Sequence, residues 1–225
     1  MSSYERLLSV KIEYIILPED HSSEGAFKIL EMTGILLAGG KSSRMGKNKA
    51  FLEVNGKPLI ERNLELLKSI FTEVFISSNT PELYNCYREK VVQDRYPGSG
   101  PLGGLHACLE EVRTEYAFFV ACDIPMLDPE LIRFMASLTE AYECVVPQTE
   151  DGLHPLFAFY NKSCLLRIEE FLQAGHFKVI DLIPQLSVRY VQEKELARFG
   201  DPRLLLCNVN TPEEWIRFQK KLVKG

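Results

Sequence analysis

The chain has 225 residues, with 26 Lys and Arg against 31 Asp and Glu, for a formal charge of −5. With 46% hydrophobic and 25% charged residues it falls in the globular range, outside the disordered, collagen-like and membrane classes. A pI near 5.5 without a long Lys/Arg run argues against a nucleic-acid binder that works by neutralising phosphates, and leaves a local basic loop for a small anion.

In chain order, residues 1–32 stand apart. Lys11 to Leu17 has strand character, Glu19 to Gly25 is polar and ends it, and the segment reads as an extra edge strand or a loosely attached arm of unassigned role. Residues 33–225 then form one domain in which short apolar runs alternate with helical patterns. The runs are Gly34 to Ala38, Glu73 to Ser77, Val91 to Gln93, Tyr116 to Ala121, Cys144 to Pro147 and Leu204 to Val209, each bounded by turn residues. Between them the period changes to that of helices over Leu59 to Ile70, Pro81 to Lys90, Leu102 to Val112, Pro129 to Leu138 and Lys162 to Ala174. Leu153 to Tyr160, entered through the Asp151-Gly152 turn, reads as an antiparallel strand added at an edge. Thr80-Pro81, Asp128-Pro129 and Thr211-Pro212 each place a capping oxygen before a proline at a first helical position. Thr211-Pro212-Glu213-Glu214 is also a capping box, which puts Trp215, Phe218 and Leu222 on the buried stripe of a last helix. Continuous apolar strands between helices predict an α/β domain with a mainly parallel sheet covered on both faces.

Six cysteines stand at 86, 108, 122, 144, 164 and 207 without a C-x-x-C pair or a Cys/His cluster at metal spacing. They read as reduced core residues of a reducing compartment rather than zinc ligands. No apolar run reaches the ~18 to 20 residues that span a bilayer. Met1 to Val10 carries Glu5 and Arg6 and no signal-peptide pattern, so the cytoplasm is the expected location and no membrane partner is expected.

The segment richest in chemistry runs from Gly34 to Lys49: a buried strand, two glycines, then Lys41, Arg44, Lys47 and Lys49. Glycines directly after a strand let backbone N–H groups approach an anion with no Cβ in the way, and the cations supply the charge a triphosphate needs. Two better-known phosphate loops do not match. Gly40 and Gly46 enclose five residues rather than four and Lys47 is followed by Asn48, so this is not a P-loop, and G-x-G-x-x-G is absent.

The run Leu37-Ala38-Gly39-Gly40-x-Ser42-x-Arg44-Met45-Gly46-x-x-Lys49 resembles the signature loop of the molybdenum cofactor guanylyltransferases. Looser forms of that loop also occur in molybdopterin cytidylyltransferases, sugar-phosphate nucleotidyltransferases and the cytidylyltransferase of isoprenoid synthesis. Two later segments narrow the resemblance to the guanylyltransferase: Gly100-Pro101-Leu102-Gly103-Gly104 is similar to its G-P-L-x-G element, and Asn208-Val209-Asn210-Thr211-Pro212-Glu213-Glu214 to its closing N-x-N-T-P-E-E element. It covers about Thr33 to Val223.

The resemblance implies a Rossmann-like nucleotidyltransferase fold that transfers GMP from GTP to a molybdopterin-type cofactor and releases pyrophosphate. It implies Mg²⁺ as cofactor, GTP and the pterin as partners, and transient contact with cofactor-synthesis or acceptor proteins. Leu37, Ala38, Gly39, Gly40, Lys49, Asp94 and Asp123 would bind the nucleotide, with Arg44, Lys49 and Asp123 catalytic. Asp123 ends a strand, where open α/β sheets bind ligands, and would hold Mg²⁺ against the α-phosphate; the alternative is a helix-start cap before Pro125. Asp94 would accept hydrogen bonds from a ribose hydroxyl or from guanine; the alternative is a turn aspartate. Where the family often has Asn at the end of the second strand, this chain has Ser77, with Asn79 two residues on. Asn208 and Asn210 flank Val209 and would face the pterin, or else satisfy the turn before Thr211. His154-Pro155 resembles a family H-P element, though Leu156 comes next where a polar residue is usual, so His154 is either an acceptor contact or a core histidine. The rivals are another nucleotidyltransferase, using CTP or acting on a sugar or isoprenoid phosphate, and a non-catalytic nucleotide-binding module.

Overall fold

The computed structural model describes residues 29–39, 49–54 and 56–222. Of the arm expected over residues 1–32, residues 1–28 lie outside the described residues, as does the glycine loop from Gly40 to Asn48, Arg44 included, while Leu30 to Met32 already belong to the first strand of the sheet. The strands are β1 (Leu30–Leu37), β2 (Glu53–Val54), β3 (Lys57–Pro58), β4 (Phe71–Ser77), β5 (Lys90–Val92), β6 (Tyr116–Ala121), β7 (Cys144–Thr149), β8 (Gly152–Leu153), β9 (Phe157–Asn161) and β10 (Val188–Gln192). The helices are α1 (Leu59–Ile70), α2 (Gly100–Glu111), α3 (Pro129–Ala136), α4 (Leu165–Gln173), α5 (Val179–Leu182), α6 (Glu193–Leu196), α7 (Pro202–Leu205) and α8 (Pro212–Leu222).

β2 and β3 form a separate small hairpin; the remaining strands build one mixed sheet in the order β10-β7-β9-β6-β1-β4-β5, with β8 paired to β7. The pairs of β1 with β4 and β6, β4 with β5, and β7 with β10 are parallel. Those of β9 with β6 and β7, and of β7 with β8, are antiparallel. The alternation of strand side chains explains why helices cover both faces. Leu36, Phe118 and Val120 pack with Leu64, Leu67, Leu131 and Met135 from α1 and α3. Ile35, Leu37, Ala117 and Phe119 point the other way, against Leu102, Leu105, Leu109, Ile168 and Leu172 from α2 and α4. Cys108, Cys122, Cys144 and Cys164 are buried, in keeping with core cysteines, but Cys86 is exposed and Cys207 half-buried, so those two are not core residues.

One glycine is set by packing. A Cβ on Gly34 would lie 2.7 Å from the Phe71 ring. That ring stacks on Phe118 with centroids 5.7 Å apart, so β1 must thin at this point to admit it.

Three of the expected elements differ in the structure. The strand read over Leu153 to Tyr160 is antiparallel, as expected, but it is not at an edge: β9 lies between β6 and β7, and all five of its residues are buried. The strand read over Leu204 to Val209 is instead α7 and then irregular chain, because Asp201 accepts a hydrogen bond from the Arg203 N–H at 2.9 Å and starts a helix at Pro202. The helix read over Pro81 to Lys90 is a single 3₁₀ turn, Pro81–Tyr84, before irregular chain and β5. β10 and the short helices α5 and α6 have no counterpart in the expected elements.

Of the three expected caps, Asp128 and Thr211 are as expected, while the Thr80 side chain makes no cap hydrogen bond and pairs with the Ser78 hydroxyl at 3.2 Å instead. The Asp128 carboxylate accepts from the Leu131 N–H at 2.8 Å, and the Thr211 hydroxyl accepts from the Glu214 N–H at 3.1 Å. Trp215 and Phe218 are buried and stacked, 5.5 Å between centroids.

Candidate active site

The carboxyl ends of four parallel strands finish level with one another. Leu37 is in register with Ser77 on one side and Ala121 on the other, and Ser77 with Val92. Ladder-like bonds continue one residue further: the Ala38 N–H donates to Ser77 O at 2.9 Å, Ser78 N–H to Val92 O at 2.9 Å, and Cys122 N–H to Leu37 O at 3.0 Å. The chain leaving each strand is therefore held at one rim. Gly39 lies just past β1, Asn79 past β4, Asp94 past β5 and Asp123 past β6. Such a rim at the carboxyl ends of parallel strands is where open α/β sheets take their ligands.

The start of the glycine loop is pinned from below. Tyr84 is fully buried, stacks against Phe51 at 5.7 Å and donates its hydroxyl hydrogen to Ala38 O at 3.0 Å. Gly39 is exposed, and a Cβ there would meet nothing closer than 3.6 Å. The protein's own packing does not require glycine at this point. Lys49, at the far end of the loop, opens a 3₁₀ turn, Lys49–Phe51.

Asp94 is half-buried and held by Asn79 through both ends of the amide: Asn79 Nδ2 donates to Asp94 Oδ2 at 2.8 Å, and the Asp94 N–H donates to Asn79 Oδ1 at 2.9 Å. The carboxylate lies over the first turn of α2, where a Cβ on Gly103 would sit 3.3 Å from Asp94 Oδ2 and overlap the Ser99 hydroxyl. A Cβ on Gly104 would sit 2.6 Å from Ser77 Oγ and 3.5 Å from Asp94 Oδ1. Gly103, at the variable position of the G-P-L-x-G element, and Gly104, its closing glycine, thus let Ser77, Ser99 and Asp94 close onto a helix N-terminus, a setting that favours negative charge. Burial works against that charge and pushes the Asp94 carboxyl above its ordinary value, with the Asn79 hydrogen bond pulling the other way.

Asp123 sits in a turn closed by the Ile124 N–H donating to Ala121 O at 3.2 Å. It is not a helix cap: the chain from Ile124 to Asp128 is irregular, and α3 is capped by Asp128. Its backbone is gripped from two sides. Asn63, buried on α1, donates from Nδ2 to Cys122 O at 3.3 Å and Ile124 O at 3.2 Å, and the Val209 N–H donates to Asp123 O at 2.7 Å. The Val209 bond brings the Asn208–Asn210 segment beside the Asp123 turn although no strand forms there. Val209 is buried while Asn208 is exposed and Asn210 half-buried; the Asn210 N–H donates to Glu214 Oε2 at 2.6 Å.

His154 reaches the same end of the sheet by a different route. Because β9 runs antiparallel to β6, its start lies beside the end of β6, where the Ala121 N–H donates to Leu156 O at 2.9 Å. His154 Nε2 is 2.9 Å from the Thr149 hydroxyl, and burial holds the imidazole below its ordinary pKa, with Asp151 opposing.

The structure thus brings Leu37, Ala38, Gly39, Asp94, Asp123, His154, Asn208 and Asn210 to one end of the sheet, with Gly40 and Arg44 outside the described residues. Asn63, Asn79 and Tyr84, which brace these residues, are not among the site residues expected from the sequence. For Asn63 a signal existed: it is an amide within the buried stripe Leu59, Ile60, Leu64, Leu67, Ile70.

Residues 34–204 match the family described as MobA-like NTP transferase domain. A "Probable molybdenum cofactor guanylyltransferase" of Pelotomaculum thermopropionicum is 42% identical over 189 residues, covering 84% of this chain and 92% of that protein. A "Molybdenum cofactor guanylyltransferase" of Syntrophotalea carbinolica is 34% identical, covering 84% of this chain and 91% of that protein. The crystal structure of molybdopterin-guanine dinucleotide biosynthesis protein A from Archaeoglobus fulgidus superposes with a TM-score of 0.74 at 24% identity, covering 86% of this chain and 100% of that one, a likeness of fold. On this identity, carried across nearly the whole length of its relatives, the chain belongs to the molybdenum cofactor guanylyltransferase family and is a nucleotidyltransferase with a MobA-like NTP transferase domain.

Proposed function

We propose that the protein transfers GMP from GTP to the terminal phosphate of a molybdopterin-type cofactor, with release of pyrophosphate, in a Mg²⁺-dependent reaction at the carboxyl rim of the sheet. The observation that carries this reading is the rim itself: the start of a glycine loop flanked by two carboxylates, Asp94 on the β5 side and Asp123 on the β6 side.

The two carboxylates divide the work. Asp94, fixed by Asn79, takes the nucleoside end, as an acceptor for guanine N–H donors or a ribose hydroxyl. Asp123 stands next to the glycine loop, where the phosphates lie. Among the described residues no three His, Cys, Asp or Glu side chains gather as a metal cage. Asp123 would hold a divalent cation with its hard carboxylate alongside substrate phosphates and water, donor chemistry that suits Mg²⁺. Bound there, the ion would neutralise phosphate charge and orient the displacement.

Transfer needs no covalent enzyme intermediate and no protein base. The pterin phosphate is already a nucleophilic anion, so the protein's contribution is alignment and charge stabilisation. The Gly39-Gly40 backbone and Arg44 cradle the phosphates, Lys49 stabilises charge developing at the α-phosphate, and Asn208, Asn210 and His154 face the acceptor. A GTP-consuming biosynthetic step of this kind belongs in the cytoplasm.

The test is to incubate the protein with Mg²⁺, molybdopterin-type acceptor and each of the four α-labelled nucleoside triphosphates. Label should pass to the acceptor from GTP, with stoichiometric pyrophosphate. Preferential transfer from CTP would replace the substrate assignment by the cytidylyltransferase; no transfer from any nucleotide would leave a binding module.

A further inference from the structure

We infer that Asn63 is a positioning residue for the carboxylate of Asp123, acting through the backbone turn that carries it; the inference rests on the metal-holding role proposed for Asp123. Asn63 is 3% exposed and occupies a place in the buried stripe of α1 where its neighbours are Leu59, Ile60, Leu64 and Leu67. An unpaired amide there would cost more than any of those side chains, so its retention calls for partners, and it has them. Its Nδ2 donates to Cys122 O at 3.3 Å and to Ile124 O at 3.2 Å.

Those two carbonyls flank Asp123. The third carbonyl of the turn, that of Asp123 itself, accepts from the Val209 N–H at 2.7 Å. Three consecutive peptide oxygens are thus fixed, two by one side chain from below the sheet and one by the segment carrying Asn208 and Asn210. Fixing the carbonyls on both sides of a residue leaves its φ and ψ little freedom, and hence sets where its Cα–Cβ bond points. Hydrogen-bonding partners behind a metal-binding carboxylate commonly govern metal affinity without touching the ion. Asn63 does so at one remove, and it does not depend on the acceptor segment being in place.

Asn63 also differs in kind from Asn79. Asn79 bonds the Asp94 side chain directly, at the nucleoside end, whereas Asn63 bonds only backbone, at the phosphate end. The two amides should therefore separate in their effects on base and on metal.

The experiment compares Asn63→Leu, Asn63→Asp and Asp123→Asn with the unaltered protein. Mn²⁺ serves as the probe, tracked by EPR with GTP bound; metal-free GTP binding is measured by calorimetry, and transfer rates across a Mg²⁺ series. Asn63→Leu keeps the volume and removes both donors; Asn63→Asp keeps the shape and turns carboxylate oxygen toward the two carbonyls. Both should weaken Mn²⁺ by roughly 10- to 100-fold, the usual range for groups behind a metal ligand. Metal-free GTP affinity should stay within about twofold, and part of the lost rate should return at high Mg²⁺. If Asp123→Asn weakens Mn²⁺ while both Asn63 variants, folded by circular dichroism, bind it normally, the positioning role is wrong. If Asp123→Asn itself leaves Mn²⁺ affinity intact, the metal assignment on which it rests has failed instead. A variant that does not fold is replaced by Asn63→Ser, for which the same weakening is expected and normal Mn²⁺ affinity overturns the inference.

Discussion

Asn79 and Asp94 close a two-bond ring across the ends of β4 and β5, the amide giving its N–H to the carboxylate and taking the aspartate's own N–H on its oxygen. The ring fixes the Asp94 side chain before any nucleotide arrives, so a base that matches it meets an acceptor already aimed. Asn79→Ala frees that rotamer. We expect the preference for GTP over CTP, read as the difference in thermal stabilisation or in binding constant, to fall by roughly tenfold, about the worth of one charge-assisted hydrogen bond. Asp94→Ala should narrow it further. An Asn79→Ala protein with full discrimination would place base recognition elsewhere.

The proposed role of Lys49 is in the transition state rather than in ground-state binding. Lys49→Ala should lower kcat by about 10² to 10³, the range for loss of one preorganised charge-stabilising group, with a smaller change in GTP affinity. An unchanged kcat with a raised KM would reverse the assignment.

His154 makes a prediction about acid stability. Burial depresses its pKa in the folded protein, so on acidification the unfolded chain takes up the proton first. The stability tied to the neutral ring is present above the ordinary histidine value of about 6.5 and is lost as pH falls below it. His154→Gln should flatten the melting temperature across that interval while altering it less at pH 8. A variant with the same acid slope as the unaltered protein would show that other groups set it.

Gly34→Ala tests the aromatic packing apart from the chemistry. The new methyl would fall 2.7 Å from the Phe71 ring, which is wedged against Phe118 and 6.2 Å in centroid distance from Phe159. Overpacking of this type costs about 1–3 kcal/mol. Urea denaturation should show that loss, and turnover per folded molecule should hold because Gly34 lies at the opposite end of β1's apolar run from Leu37 and the rim.

What the sequence discloses depends on whether local chemistry decides the structure. The rim positions of Asp94 and Asp123 are legible because each stands just past an apolar run that forms a parallel strand. The helices at Pro129 and Pro212 are legible because Asp128 and Thr211 carry their own capping oxygens. Leu204-Leu205-Leu206 misleads because three apolar residues fit a buried strand or a helical turn equally, and the arbiter, the Asp201 cap, lies just upstream of the run. β10 escapes notice because Val188–Gln192 carries Arg189, whose charge is answered by Glu195 in α6, a partner invisible before folding. Phe157–Asn161 is not the edge strand expected, and its continuous apolar chain down to Tyr160 is the mark of a strand buried on both faces. Asn63 falls by its spacing on the apolar stripe of α1, so its inward turn is legible, but the carbonyls of Cys122 and Ile124 that it meets come from a turn 59 to 61 residues away and show only in the folded chain.

The interior position of β9 has a consequence for the order in which the chain can be made. β1, β4, β5 and β6, with the four rim positions that follow them, are all synthesised before Phe157 leaves the ribosome, and until then β6 presents a bare edge. That edge carries Phe118, Phe119 and Val120, side chains with no tolerance for water once the helices have closed over the other strands. Nor can β7 join it directly, since β9 must first be laid between them. The nascent protein therefore holds an unfinished seam through its middle while its nucleotide half is complete in sequence, and a chain interrupted between Thr149 and Phe157 would retain that seam for good, inviting a strand from another molecule into the place meant for its own.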